Sequence, residues 1–266
     1  MAKATFKKVA GEVMSNAKKS YNFVKFGHSI KDLRNFNFNK SDIAIVVGGG
    51  PSLKLNNPIK TIKNYQNKSI IIACDGSLYY LLRNNIIPDL TITLDPHPTR
   101  IIRWFGDKKL NKKKLISDDY FARQDLDHAF NNQLAANKKI IKLFDKFASR
   151  LNIAICTSSS PAVVKRLTDS KAKLYWWNPL LDDPKNRRSL SRKLYIKNNL
   201  PLINAGGNVA SAAWMIADSV LCLKKIALVG MDFGYYSNTP YKKTQYYDAL
   251  RKIADYKDLH LFYKKI

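Results

Sequence analysis

The chain is poor in acid. Its 266 residues carry 20 Asp and Glu against 46 Lys and Arg, a formal net charge of +26. Such a field favours anionic partners: nucleotides, nucleic acid or an acidic membrane surface. Lys, Asn and Ile are all abundant, which AT-rich coding would also produce without any functional demand. The lysines are spread along the chain rather than gathered in one arm. No recognition helix or RNA-binding aromatic signature stands out, so nucleic acid is the minor reading.

Cysteine is scarce as well. Cys74, Cys156 and Cys222 are far apart, each in or beside an apolar run, and no CxxC or Cys/His cluster exists. That pattern argues against a zinc site and predicts buried free thiols in a reducing cytoplasm. Long apolar runs are absent too. The nearest, Val209 to Leu223, is interrupted by Asp218 and falls short of the ~18 residues a membrane span needs. The amino-terminal stretch holds lysines but no leader-like apolar block, so the expectation is a cytoplasmic protein. The familiar catalytic and nucleotide loops are also missing: no Walker lysine, no GxGxxG fingerprint, no GxSxG elbow.

What is present starts with Asp42-Ile-Ala-Ile-Val-Val-Gly-Gly-Gly-Pro-Ser-Leu53. A short β-branched run, Ile43 to Val47, closed abruptly by glycine, reads as a central parallel strand buried on both faces. Gly48, Gly49 and Gly50 permit backbone angles other residues avoid and let a ligand approach the main chain. Pro51 and Ser52 suit a helix start, with Ser52 as a cap. Strand, glycine turn and helix start together present N–H groups to an anion, usually a phosphate. A tight turn after a core strand would look the same.

Further along, strand and helix alternate. Residues Thr5 to about Lys25 form a basic amphipathic helix, with Phe6, Val9, Val13, Ala17, Tyr21 and Val24 at three- and four-residue steps. Such a helix docks on its own domain or a partner subunit, or lies on an acidic membrane. Residues 26–40 read as a connector. Strands are expected at Ser69 to Ala73, Leu90 to Leu94, Ile153 to Cys156, Lys173 to Trp177 and Ile226 to Val229. Helices are expected at Ile59 to Tyr65, Leu78 to Asn84, after Pro161, and from Val209 to about Leu221. The lysine-rich middle, Thr99 to Arg150, holds two or three more. Asn178 to Asn199 reads as a basic mobile loop or lid, and Thr244 to Tyr256 as partly helical. The alternation predicts an α/β fold: a Rossmann-like, doubly wound, mostly parallel sheet over residues 41–240, with a helical extension at 1–40 and a helical tail at 241–266.

In such sheets ligands bind beyond the carboxyl ends of the strands, and the unusual residues fall there. Asp75 and Gly76 end one strand; the carboxylate could take a ribose hydroxyl or a metal-bound water, or cap the next helix. Asp95 and His97 flank Pro96, which stiffens their turn, and His97 could act as a base or phosphate partner. Ser158, Ser159 and Ser160 precede Pro161 as a second anion cradle or simply a cap. Asn204, Gly206, Gly207 and Asn208 suit a turn where backbone meets ligand, or close packing of the next helix. Asp232 ends the last strand and could hold a metal, a base edge or a sugar hydroxyl.

The ordered set GGGPSL, ACDGS, IIPDLTITLDP, NAGGNVASAA and ALVGMDF, over about residues 40 to 235, resembles a family that joins the motility-associated-factor glycosyltransferases to the archaeal 6-hydroxymethylpterin pyrophosphokinases. The GGGPSL element is also similar to the GxGPS loop of a bacterial sialyltransferase family that uses a CMP-activated sugar. The resemblance implies a Rossmann-like domain with the nucleotide phosphates at Gly48 to Ser52. The pterin kinases place a second acidic residue after the third strand, as part of a magnesium-binding pair. This chain has Asp95-Pro96-His97 there, closer to the Asp-Pro of the flagellin glycosyltransferases. Those enzymes are longer and carry extra domains, so a small-molecule, lipid or surface-glycan acceptor is expected instead.

The leading expectation is therefore a nucleotide-dependent transferase passing a sugar, of the nonulosonic type from a CMP donor, to an acceptor handled by Asp95 and His97. Backbone amides and hydroxyls around Ser52 and Ser158 would hold the departing phosphate. The alternative is diphosphoryl transfer from ATP to a pterin alcohol, with Mg²⁺ on Asp75, Asp95 or Asp232. A third is an anion-binding module without catalysis. Peripheral contact with an acidic membrane and a homo-oligomer both stay open.

Overall fold

A computed structural model describes residues 2–36, 38, 40–99, 101–117 and 133–234. Among them, seven strands form one continuous parallel order, β1-β6-β5-β4-β3-β2-β8, with β7 paired to β6 beside it. The strands are β1 (His28–Ser29), β2 (Ile43–Val47), β3 (Ile70–Cys74), β4 (Leu90–Thr93), β5 (Asn152–Cys156), β6 (Lys173–Pro179), β7 (Leu202–Ile203) and β8 (Lys225–Val229). All the pairings are parallel. The central strands read as near-continuous apolar runs because both faces are covered; every residue of β3 and β4 is buried.

The order reverses once. From β2 the chain steps through β3, β4 and β5 to β6, then returns to place β8 on the other side of β2. Right-handed crossovers put the helices of the outward run on one face and the returning helix on the other. On the first face lie α3 (Ile59–Tyr65), α4 (Asp75–Arg83), α5 (Ile102–Phe105), α7 (Gln133–Phe147) and α8 (Pro161–Thr168). They bury Ile45, Val47, Ile71, Ile153, Ile155 and Trp176. On the second face α10 (Val209–Ser219) packs Ala212, Ala213 and Ile216 against Ala44, Val46, Ile72 and Ile92. Alanine at those helix positions lets the backbone sit close to the sheet, where a larger residue would overpack it.

The first-face helices are tied by buried polar contacts as well as apolar ones. Arg166 in α8 donates from Nε to the carbonyls of Phe105 and Gly106, at 3.1 and 3.0 Å, and pairs with Asp145 of α7 at 2.6 Å. Asn137 and Asp107 exchange amide and backbone hydrogen bonds, and the Asp107 carboxylate pairs with Lys114 of α6 (Lys112–Ser117). At the amino edge of the sheet, Asp89 accepts from Lys40 Nζ and from the Ile71 amide.

Three stretches differ from the sequence reading. The amino-terminal helix α1 (Ala2–Ser20) is followed by a 3₁₀ turn, Tyr21–Phe26, rather than running to Lys25. The expected connector contains β1 and a second 3₁₀ turn, Ile30–Asn35, whose Ile30 and Leu33 are core residues. Two-residue strands and 3₁₀ turns leave too short a period to read. The basic segment after β6 is a capped helix, α9 (Leu190–Asn198), with Ser189 at its N-cap. Burial pushes the Asp182 carboxyl up, but hydrogen bonds from Ser189, Ser191 and Leu190 outweigh that and hold it down at about 2. Of the thiols expected to be buried, Cys74 and Cys156 are, but Cys222, beyond the end of α10, is exposed. The helical reading of Thr244 to Tyr256 lies outside the described residues. Among the described residues, no helix is long and apolar enough to cross a membrane.

Candidate functional site at the strand ends

The order reverses between β2 and β8, the place where such sheets take ligands, and at their carboxyl ends the glycine turn meets the loop after β8. Gly48 N–H donates to the Val229 carbonyl at 2.7 Å, and Gly50 N–H to the Gly230 carbonyl at 2.8 Å. A Cβ on Gly48 would lie 2.4 Å from the Gly230 oxygen, and one on Gly50 2.4 Å from Asp232 Oδ2. Gly48, Gly49 and Gly50 are absent from the positive-φ residues, whereas Gly230 has φ +67°. The triplet is thus explained by the close approach of two loops, and the strained angle falls on the facing loop. The one-turn helix α2 (Ser52–Leu55) begins at Pro51, and its Ser52 N–H donates to Asp232 Oδ2 at 2.7 Å. The helix start is capped by Asp232 from the loop after β8, not by the Ser52 hydroxyl.

Behind this turn lies a buried carboxylate. Asp75 is the first residue of α4 and is 4% exposed. Its Oδ1 accepts from Gly76 N–H at 2.7 Å and its Oδ2 from the Thr93 hydroxyl at 2.9 Å. Burial pushes the carboxyl up to about 7. The Thr93 bond opposes this, the Asp95 charge adds to it, and the Gly76 bond and the Arg103 charge oppose it. Asp75 and Asp95, on neighbouring strands, therefore sense each other. Gly49 joins the two halves, since a Cβ there would be 3.4 Å from the Gly76 backbone.

The next turn is held tightly. Asp95 Oδ1 accepts the His97 N–H at 2.8 Å, and His97 Nδ1 accepts the Thr99 N–H at 3.3 Å. The Asn16 side-chain amide, from α1, donates to the Pro96 carbonyl at 2.9 Å and to the Ser158 carbonyl at 3.1 Å. The amino-terminal helix therefore pins the ends of β4 and β5 together.

The three serines are spent inside the protein. Ser158 donates its hydroxyl to the Leu94 carbonyl at 2.9 Å and Ser159 lies 3.5 Å from the Thr93 carbonyl; both are buried. Ser160 caps α8 through the Val163 N–H. These side chains shape the strand ends rather than face a ligand. Asn208 caps α10 by accepting from Ala210 and Ser211, and Asn204 accepts the Gly206 N–H. Gly206 and Gly207 have φ +58° and +90°. A Cβ on Gly206 would meet Ser211, while Gly207 faces open space. This turn opens the helix on the second face and is not joined by any of these bonds to the Asp75–Asp95 pair.

Three residues escaped the sequence reading. Asn16 sat on a helix read only for its apolar steps. Arg103 and Trp104 lay in the lysine-rich middle. The Trp104 ring would stand 3.8 Å from a Cβ on Gly76, and the Arg103 guanidinium lies 4.1 Å from that ring's centroid. The signal available was their place, a few residues beyond the Asp95 turn. A depression lined by Lys40, Tyr65 and Lys68 lies at the opposite end of β2 and β3 and shares none of these groups.

Comparison with curated proteins finds no match. Among solved structures, the chain is similar to the MAf glycosyltransferase from Magnetospirillum magneticum AMB-1, at 19% identity and a TM-score of 0.45. That likeness covers 85% of this chain but only 28% of the other, so nothing of that protein's chemistry transfers by it. A family model described as 6-hydroxymethylpterin diphosphokinase MptE-like matches residues 14–174. The match takes in Asn16, the glycine turn, Asp75, Asp95 and the serines, more than half of the chain, and on it the chain belongs to the MptE-like family, whose namesake reaction is a group transfer.

Proposed function

We propose that this transferase binds a nucleotide-activated sugar at the carboxyl ends of β2 and β8 and passes the sugar to an acceptor hydroxyl. The CMP-linked nonulosonic acids are the favoured donor class. The observation that carries the reading is the side-chain-free approach of Gly48–Gly50 to Gly230 and Asp232 beside the braced Asp95–His97 turn. In the transfer, the acceptor oxygen bonds to the anomeric carbon while that carbon's bond to the donor phosphate breaks. Asp95 takes the acceptor proton, and His97, whose Nδ1 lone pair is engaged by the Thr99 N–H, orients the acceptor. The Ser52 N–H holds the departing phosphate once the Asp232 carboxylate gives it up, while the Gly48 and Gly50 N–H groups stay on the Val229 and Gly230 carbonyls. Trp104, over Gly76, supplies an apolar wall.

The second reading, diphosphoryl transfer from ATP, draws support from the family match and from the Asp75–Asp95 coupling. The donor set does not make a resident magnesium site. Both Asp75 oxygens already accept hydrogen bonds, and among the described residues no group of three His, Cys, Asp or Glu could hold a metal. Magnesium would arrive with ATP, as part of the substrate.

Thermal shift with CMP, CMP-sugar, ATP and ATP with magnesium separates the readings. A ligand at ~100 times its dissociation constant stabilises by about 2.7 kcal/mol. Stabilisation by CMP or CMP-sugar alone supports glycosyl transfer. A response only to ATP with magnesium supports the second reading. Silence with all four leaves an anion-binding module without catalysis and overturns both.

A further inference from the structure

Far from the β8 edge, two short elements lie side by side. The 3₁₀ turn Tyr21–Phe26 anchors itself through Phe23 and Val24, which pack on the core, and α9 anchors through buried Leu194. They meet where Lys197 Nζ sits 5.0 Å from the Tyr21 ring centroid. What they turn outward is unusual for a soluble surface. Ile196 is 71% exposed, Phe26 61%, Tyr21 44% and Tyr195 42%. Exposed cations lie along them: Lys18 and Lys19 at the end of α1, Lys25 in the 3₁₀ turn, and Arg192, Lys193 and Lys197 in α9. Neither residues 18–26 nor residues 192–197 contain an acidic residue. Of the acids close by in sequence, Asp182 caps α9, Asp183 accepts the Lys185 N–H and Asp32 stands 4.0 Å from His28.

We infer that this face is a docking surface for an anionic lipid bilayer. Charge complementarity commits it to an anionic partner, and the apolar groups choose among anions. Tyrosine and phenylalanine partition into the interfacial zone, and lysine stems lie along apolar surface while their ammonium groups reach lipid phosphates. A nucleic acid would use the lysines and the rings, but it offers nothing to the most exposed side chain, Ile196, which has no π-face to stack. A bilayer accommodates both. Both elements are braced on the core, so little order has to be gained on docking. The face lies on the β6 side of the sheet and α1 leads directly into it, so docking would leave the β2–β8 strand ends uncovered. The inference is independent of which group the transferase moves.

The test is co-sedimentation of the full chain with vesicles of phosphatidylcholine, with and without phosphatidylglycerol. Binding is expected only to the anionic vesicles, falling as salt rises. The Phe26→Ser/Ile196→Ser variant, altered only at exposed positions, should keep its melting temperature and lose at least about tenfold in vesicle affinity. The Lys193→Glu/Lys197→Glu variant should lose more. Equal binding to neutral vesicles, no binding at physiological salt, or an unchanged apolar variant would overturn the inference. So would single-stranded RNA binding that the lysine variant abolishes while vesicles stay unbound.

Discussion

The two halves of the strand-end site are built in opposite ways. At β2 and β8 the contacts run from backbone to backbone, through glycines, beside a strand whose residues are exposed or half-buried. At β3, β4 and β5 they run through buried side chains: Asp75, Thr93, Ser158 and Asn16. In the proposed transfer the first half opens for a charged donor, because the side-chain closure of Asp232 on Ser52 is exposed and replaceable. The second half holds fixed geometry because each of its groups is already satisfied. In the proposed transfer, donor capture and acceptor orientation fall to different kinds of structure.

The contrast can be broken most severely at Gly48. Gly48→Ala places a methyl group against the Gly230 carbonyl, so it should destabilise by about 3 kcal/mol or more. Urea denaturation measures this, and a neutral outcome would mean that the two loops are not in contact. The next effect belongs to Asp75. Its folded pKa lies above its unfolded value, so the folded state binds more protons between about pH 4 and 7 and loses stability as pH rises through that window. A loss of about 2–3 kcal/mol between pH 5 and 8 is expected. Asp75→Asn, which can still accept from Gly76 and donate to Thr93, should flatten the profile. An unchanged profile would move the titration to another group.

Asn16→Ala leaves two carbonyls without their donor and should cost about 2 kcal/mol. Turnover should fall while the donor-induced thermal shift persists, separating the acceptor half from the donor half; equal loss of both would erase the distinction. The smallest effect on stability is expected at Asp232. Asp232→Ala removes an exposed cap worth about 1 kcal/mol. Donor affinity should rise, because a phosphate no longer competes for the Ser52 N–H. Weaker binding would mean that Asp232 holds the ligand itself.

Much of the fold was legible because central parallel strands announce themselves. Ile43 to Val47 and Ile59 to Tyr65 match the observed elements end to end. The carboxyl-end loops followed from strand direction alone. The glycine triplet reads as admitting a ligand to the main chain through unusual backbone angles, whereas the structure crowds Gly48 and Gly50 with the loop after β8 and gives the triplet no positive φ. Sequence gives the residue type, not the surface that crowds it. Ser158 and Ser159 carry hydroxyls suited to an anion, and only packing reveals that strand-end carbonyls claim them. Asn16 was illegible because its partners lie 80 and 142 residues away. Helix periodicity says nothing about contacts at that range.

The parallel pairing of His28 and Ser29 with Tyr175 and Trp176 has a consequence for biosynthesis. The segment carrying Asn16 emerges early from the ribosome, yet its seat does not exist until β6 has been made. At about 5–20 residues per second, the wait is on the order of ten to thirty seconds. During that interval the amphipathic helix carrying Asn16 is without its seat, and the β4 and β5 loops it will clasp are unbraced. The strand-end site is therefore complete only after β6 and β8 have been made, when the segment around Asn16 folds back onto loops 80 and 142 residues further along.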